Sequence, residues 1–434
     1  MPKPVYPLGD FLDNERFDGG YTKVEVDAML AKMAGDVAAP YGVAYNHLVD
    51  TYSVVGHGIP VVQATMRRCV VDAGGKFLYY LDPNDSTKKE NGEDATADIE
   101  GKNGTRQVKV QISKFYQKRF NDGTLDVHLI SLDRFPGAEV HPIFRQLGWR
   151  EDSALSHLQE NDYAYVGAFE GVLFDASANA FLDNNKANDN TGNIDLANDK
   201  IMSIAGKKPY SGITIVEGRT LIANGGSKQY SYHMWDAINL LYFTEYRDYN
   251  SQNKIPGYTS GGNIDRIAKT GLTLSLGNKS GSIVNSAGQV AGASATTTVA
   301  NSYRGIENFF GHLWRFTDGI NIQDGKPFVC GIADEFLSNK FDGQYAQVKD
   351  SNGLNIQMPQ AHGYETQHHA GTFLTKTNTG GNSISKVCDH YWYSAGNRVL
   401  LSSGYLNYGG SVGAFCWYGD YSSGGSGWYI AVRS

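Results

Sequence analysis

The sequence predicts an α+β protein with long loops, and three observations lead there. Short stretches alternate between apolar and polar residues with a period of two, as half-buried strands do. One stretch, His233 to Tyr249, repeats its apolar residues every three and four positions, as a helix does. The 434 residues also include 51 Gly and 27 Tyr, a composition suited to loops held between strands rather than to a helical bundle.

From the N-terminus, residues 1–20 carry Pro2, Pro4, Pro7, Gly9, Gly19 and Gly20 without a helical or strand period. They read as an extended arm that gains order by lying on another surface. A helix signal follows at 21–36. Thr22 as N-cap and Glu25 three residues later form a capping box, with Tyr21 and Val26 at the staple positions. Val26, Met29, Leu30 and Met33 then make one apolar stripe. A helix this short is marginal alone, so the stripe is expected to bury, either against copies of itself in a trimer, the favoured reading, or against the chain's own body. Residues 37–60 read as a linker.

The body is expected over 61–434. Phe77–Leu81 reads as a strand that ends at the turn Asp82-Pro83-Asn84-Asp85. Residues 84–104 read as a surface loop. Gln107–Ile112 and Leu125–Ile130 alternate cleanly and read as half-buried strands, with Asn121-Asp122-Gly123 as a turn. Tyr163–Phe174 is a further strand. Residues 175–200 are rich in Asn and Asp and read as a solvated loop. Asp183 and Asn185 look like the start of a calcium loop, but its Gly and distal Glu are out of place. Ser231 is placed to cap the helix at 233–249. Residues 257–302 read as an exposed excursion. The apolar alternation around Trp314 implies a central strand.

The last thirty-seven residues combine two apolar runs, Val399–Leu401 and Trp428–Val432, expected as core strands. Between them lie Tyr405, Asn407, Tyr408, Ser411, Trp417, Tyr418, Asp420, Tyr421 and Ser423, interleaved with glycines. Tyr gives a large contact area for two restricted torsions, and Ser, Asn and Gly supply adaptable hydrogen bonds. These nine residues are the candidate binding face.

Other chemistry is thin. The chain carries 38 basic and 45 acidic residues, a net charge of −7, which points away from nucleic acid. Cys69, Cys330, Cys388 and Cys416 are far apart, without metal-site or disulfide-framework spacing, which suits folding in a reducing cytoplasm. His362, His368, His369 and His390 show no ligand spacing. Glu170, Asp236, Glu245 and Asp318 form no pair spaced for glycoside hydrolysis. No cofactor or metal is expected, and the N-terminus lacks the apolar core of a secretion signal.

Three segments in order, GHLWRFTDG (311–319), RVLLSSGY (398–405) and WYIAVR (428–433), resemble the formylglycine-generating-enzyme type of C-type-lectin-like fold. Upstream, Met66–Cys69, YYLDPNDSTKK (79–89), VKVQISKFYQK (108–118), VHPIF (140–144), YAYVGAFEG (163–171) and the helix around Trp235 are similar to phage virion adhesins. YTKVEVDAML (21–30) resembles the short coil that trimerises such fibres. The chain departs from the pattern at Ser402-Ser403-Gly404-Tyr405, where diversified members often carry GGSW. It also lacks a counterpart to the enzymes' cysteine pair and the EPN, QPD and WND calcium triplets.

The resemblance implies a C-type-lectin-like domain over 61–434 with insertions near 84–104, 175–200 and 257–302. It implies a homotrimeric, non-catalytic virion fibre, made in the host cytoplasm and exposed on the particle. Residues 1–20 would anchor it to a capsid or tail protein, and the C-terminal face would meet a bacterial cell-surface receptor, glycan among the candidates. A decorative head fibre and a surface-polysaccharide-acting enzyme are the alternatives.

Overall fold

The computed structural model describes residues 39–104, 106–145, 159–183, 194–261, 266–285, 298–331 and 336–434. The arm 1–20 and the stripe Val26, Met29, Leu30 and Met33 lie outside the described residues.

Residues 39–145 hold β1 (Tyr41–Asn46), β2 (Thr51–Val55), β3 (Arg67–Val71), β4 (Phe77–Tyr80), α1 (Thr96–Ile99), β5 (Gln107–Ser113), β6 (Tyr116–Asn121), β7 (Leu125–Ser131) and β8 (Glu139–Val140). Residues 159–261 hold β9 (Tyr163–Gly167), β10 (Val172–Asp175), β11 (Ala180–Phe181), β12 (Lys200–Met202), α2 (Ile215–Asn224), α3 (Tyr232–Tyr246) and α4 (Ser251–Lys254). Next come β13 (Gly281–Asn285), β14 (Thr298–Tyr303), β15 (Ile306–Glu307), β16 (Trp314–Gln323), β17 (Lys326–Cys330) and β18 (Tyr345–Gln347). The chain closes with β19 (Gly363–Tyr364), β20 (Gln367–His368), β21 (Thr375–Thr377), β22 (His390–Tyr393), β23 (Asn397–Ser402), β24 (Trp417–Gly419) and β25 (Ile430–Ala431). Strands therefore dominate the described residues, with few helices.

Three sheets carry the architecture. The first runs β2-β1-β7-β6-β8, the second β4-β3-β5-β9, and the third β18-β17-β16-β23-β24-β22-β19. The third gains β25, which pairs parallel with the start of β16 through Trp314↔Ile430 and Arg315↔Ala431. α3 packs against β1, β7 and β16, so it joins the first and third sheets. Ser231 caps it as expected, accepting from the Met234 N–H at 3.2 Å. It is buried on nearly every side, polar Asp236 and Asn239 included, and Trp235, Leu240, Leu241, Tyr242 and Phe243 are fully buried.

β16 is the central strand expected around Trp314, and it serves both large cores. Trp314 and Phe316 join the cluster with Val399, Leu401, Leu221 and Ile430. Ile320 and Ile322 join the one with Leu400, Trp235 and Trp417. These four positions share one parity, so a straight strand would send all of them to one face. The register with β23 shifts between Thr317 and Asn321, and Gly319 there has φ +74°. That bulge turns the strand over.

Several expectations need correction. The described part of the expected linker 37–60, residues 39–60, is not a linker: β1 and β2 pair with each other, β1 also pairs with β7, and Tyr41 and Val43 are core residues. β5 and β7 are buried on both faces rather than one, with Gln107, Lys109, Gln111, Asp126 and His128 enclosed. Alternation in polarity therefore did not mean alternation in exposure. The loop 84–104 contains α1 and buries Ala95 and Ile99. Tyr163–Phe174 is two strands, β9 and β10, with the fully buried Ala168 and Phe169 between them. Within 257–302, Tyr258, Ile267, Ala268 and Thr273 are buried, so the described part is no exposed excursion. Of 428–432, only Ile430–Ala431 forms a strand. The turn at Asp82 is as expected, with its carboxylate accepting from the Asn84 N–H at 2.8 Å.

Candidate functional site

β22 and β24 run parallel, and their register sets Tyr391 opposite Trp417 and Trp392 opposite Tyr418. Because successive side chains point to opposite faces, Tyr391 and Trp417 turn inward together. Both are buried, and the Trp417 indole packs on Trp235 of α3. Trp392 and Tyr418 turn outward and lie 5.3 Å apart, centroid to centroid.

Around that outward pair the chain assembles a continuous patch of partly exposed rings. Tyr408 stacks on Trp392 at 4.9 Å with planes inclined by 26°. Tyr421 lies 5.6 Å from Tyr418, and Tyr429 lies 5.4 Å from Trp428. The Tyr421 and Tyr429 hydroxyls hydrogen-bond to each other. Below the patch, Trp314 contacts Trp392 at 5.6 Å and Tyr418 at 5.2 Å. Tyr405 bridges Tyr408 at 4.8 Å to Tyr429 at 5.2 Å. Trp314 and Tyr405 are buried, whereas Trp392, Tyr408, Tyr418, Tyr421, Trp428 and Tyr429 are each partly exposed.

The loop from β23 to β24 is held firmly for so glycine-rich a segment. Ser403 and Gly404 leave β23 in left-handed conformations, φ +75° and +72°, a region that costs a side-chain-bearing residue. The Gly409 N–H donates to Thr259 O at 2.8 Å, and the Gln252 amide donates to Gly409 O at 3.0 Å. Tyr364 and Ser411 share a hydroxyl hydrogen bond of 2.9 Å. Burial, with Asp420 close by, pushes the Tyr418 phenol up, and burial together with the Tyr429 hydroxyl does so for Tyr421. Both rings keep their O–H at neutral pH.

Measured against the nine candidates, Tyr408, Tyr418 and Tyr421 stand in the patch. Asn407 is exposed on the same loop. Asp420 accepts from the Ser394 hydroxyl at 3.2 Å, and Ser423 accepts from the Asn339 amide at 2.9 Å. Trp417 and Tyr405 require correction as contact residues. Trp417 is fully buried and Tyr405 is 8 % exposed, since strand alternation and the loop's inward turn commit both rings to packing. Trp392, Trp428 and Tyr429 complete the patch and are not among the nine. The run His390-Tyr391-Trp392-Tyr393 held the signal: consecutive aromatic residues in a strand must place some rings on the outer face.

The carboxylates of interest are each engaged with a base. Glu170 meets His312 Nδ1 at 2.5 Å, Asp236 meets Arg119 at 2.6 Å, and Asp318 meets Arg219 at 2.7 Å. Glu245 pairs with Arg304. His368 bonds Glu365 at 2.7 Å, and burial lowers its pKa to about 3. All four cysteines are buried free thiols. Burial pushes Cys69 up to about 12 and Cys416 well above its ordinary value, so neither offers a thiolate. Among the described residues no group of three or more His, Cys, Asp or Glu is placed to hold a metal ion. No family model and no curated protein matches the sequence.

Proposed function

We propose that the chain is a non-catalytic adhesin whose C-terminal aromatic patch binds a glycan on a bacterial surface. The reading rests on one observation: six rings, from Trp392 to Tyr429, stay partly exposed at van der Waals spacing over a buried Trp314–Tyr405 base. Such a surface suits the apolar faces of sugar rings, and the phenol hydroxyls, Asn407 and Asp420 at its border suit sugar hydroxyls. The rings are already packed on one another, so a ligand meets a surface that loses little freedom on binding.

In this reading the body is a C-type-lectin-like domain. The supporting features are the central strand at Trp314 flanked by RVLLSSGY and the parallel docking of the final strand beside it. The virion context, trimeric state and anchoring role of residues 1–20 are carried by the sequence resemblance. Multivalent presentation on a trimer would raise weak single-site affinity.

The test is adsorption of the labelled full chain to host cells and to an array of bacterial surface glycans. The Trp392→Ala, Tyr408→Ala double variant is expected to lose binding at least about tenfold while its circular dichroism is unchanged, because these rings lie at the surface. Undiminished adsorption by a folded double variant would overturn the proposal. Release of reducing ends from the polysaccharide would replace it with an enzymatic one.

A further inference from the structure

The parallel register that sets Trp392 opposite Tyr418 extends one step beyond the paired strands. Two residues further along each chain, Ser394 and Asp420 meet on the same outer face, and the Ser394 hydroxyl donates to Asp420 Oδ1 at 3.2 Å. Two residues of strand rise roughly 7 Å, so the ring pair and the carboxylate stand side by side, one pleat apart. One sugar ring can bridge that step.

The Asp420 side chain is partly exposed. A carboxylate offers about four acceptor positions, so the Ser394 hydroxyl and the nearby Tyr418 phenol leave capacity for a ligand. The titratable groups that act on Tyr418 are Asp420, Tyr408 and Tyr429, and those that act on Tyr421 are Tyr429, Tyr418 and Tyr408. No Lys or Arg is among them. Of the patch and its border only Asp420 carries a charge, on a chain of net charge −7, so an anionic sugar would meet like charge there. A cationic group is best held by rings that surround an open centre. Here Trp392 and Tyr408 stack on each other at 4.9 Å with planes inclined by 26°, and Tyr418 leans on Trp392 at 5.3 Å, so these rings present one surface rather than a cage.

Taking the adhesin reading as given, we propose that Asp420 makes the patch selective for a neutral sugar with two free adjacent hydroxyls. The apolar face of the sugar lies on Trp392 and Tyr418, and the hydroxyl pair donates to the Asp420 carboxylate. Hydrogen bonds to a charged acceptor are the stronger kind, so they favour the diol, while repulsion refuses a uronate or a phosphorylated sugar. Ser394 is a positioning residue, fixing the carboxylate through Oδ1.

Binding of the full chain to an array of matched glycans tests this. Each set holds a neutral oligosaccharide and three counterparts, in which one hexose is replaced by its uronic acid, by an amino sugar, or by a hexose with its adjacent hydroxyls O-methylated. At least one neutral glycan is expected to bind, with its uronate and O-methylated counterparts at least about tenfold weaker and its amino-sugar counterpart no tighter. Asp420→Asn keeps the size of the side chain and removes its charge. It should weaken the neutral glycan by a few-fold and bring the uronate to within about threefold of it, with circular dichroism unchanged. The Trp392→Ala, Tyr408→Ala variant should lose every glycan alike, which separates failure of the patch from failure of its selectivity. Equal binding of the uronate or O-methylated glycan, tighter binding of the amino sugar, or an unchanged neutral-to-uronate ratio in Asp420→Asn would each overturn the selectivity and leave the adhesin reading standing. Binding of no glycan by the parent chain would overturn both.

Discussion

The Trp235 and Trp417 indoles lie 4.1 Å apart, centroid to centroid, with their planes inclined by 44°. Both are fully buried. The contact ties α3 to β24, whose next residue, Tyr418, is in the exposed patch. The Trp235 indole N–H and the Asn239 amide both donate to Ala414 O at 3.1 Å, three residues before Trp417. The loop that presents the patch is thus pinned from beneath by the main helix.

Trp417→Ala is expected to cost about 3–5 kcal/mol, the range for removing a large buried aromatic side chain. Tyr418→Ala, one residue away and partly exposed, should cost under about 1.5 kcal/mol, in the range of an ordinary substitution. Chemical denaturation of the two variants measures the difference. Comparable losses would contradict the inward and outward assignments.

Adsorption to the receptor should respond weakly to salt. Of the patch and its border, only Asp420 carries a charge, so raising sodium chloride from about 50 to 500 mM should change affinity less than about threefold. Titration at the two salt concentrations reports this. A steep loss with salt would indicate an electrostatic interface elsewhere on the chain.

Gly404→Ala should destabilise by about 2 kcal/mol or more and weaken receptor binding. Gly404 has φ +72°, and an added Cβ would come within 2.4 Å of a Val412 methyl carbon. The left-handed backbone alone costs a residue with a Cβ about 1–2 kcal/mol. Denaturation midpoint and adsorption should fall together, because Tyr405 and Tyr408 follow directly.

Glu365 and Asp389 give stability a dependence on alkaline pH. Burial holds both carboxyls well above their ordinary values, and for Asp389 the nearby Glu365 adds to it. The folded state therefore keeps protons that the unfolded chain releases. Their contribution is full below the unfolded carboxyl pKa of about 4 and is lost as pH rises toward the raised folded values. Asp389→Asn should flatten the decline in melting temperature from pH 5 to 8. An unchanged slope would contradict neutral burial.

Asp236 carries the opposite sign. Burial opposes its charge, but Arg119 outweighs that, and with His141 at 3.1 Å the carboxyl is held well below its ordinary value. Its contribution is present above the unfolded pKa and is lost as pH falls through the depressed folded value. Asp236→Asn should cost about 3–5 kcal/mol at neutral pH by leaving the Arg119 charge buried and unpaired. It should lose less than the parent chain on further acidification, measured by denaturation at pH 7 and pH 3.

Much of the fold was legible where local signals agree with packing. Ser231 and the apolar repeat from Trp235 to Tyr242 announced α3, and Val399–Leu401 announced β23, because core strands and helices need continuous apolar stretches. The capping box Thr214–Glu217 of α2 was equally plain in sequence, Thr-Ile-Val-Glu, and was overlooked. Other elements were hidden for a physical reason. Lys109, Gln111, Asp126 and His128 alternate with apolar residues and imitate a solvent face, yet tertiary neighbours cover them. Tyr41–Asn46 is too short to stand out and is a strand because β7 pairs with it. Within the candidate site, composition singled out a segment but could not say which of its rings faces water. That depends on the parallel register of β22 with β24, a contact between distant parts of the chain.

The overturned strand β16 carries a last consequence. Because one continuous backbone segment inserts Trp314 into one apolar interior and Ile322 into the other, neither interior can melt while its neighbour survives. A calorimetric scan of the body should therefore show a single heat-absorption peak, and substitutions in either interior should move that same peak.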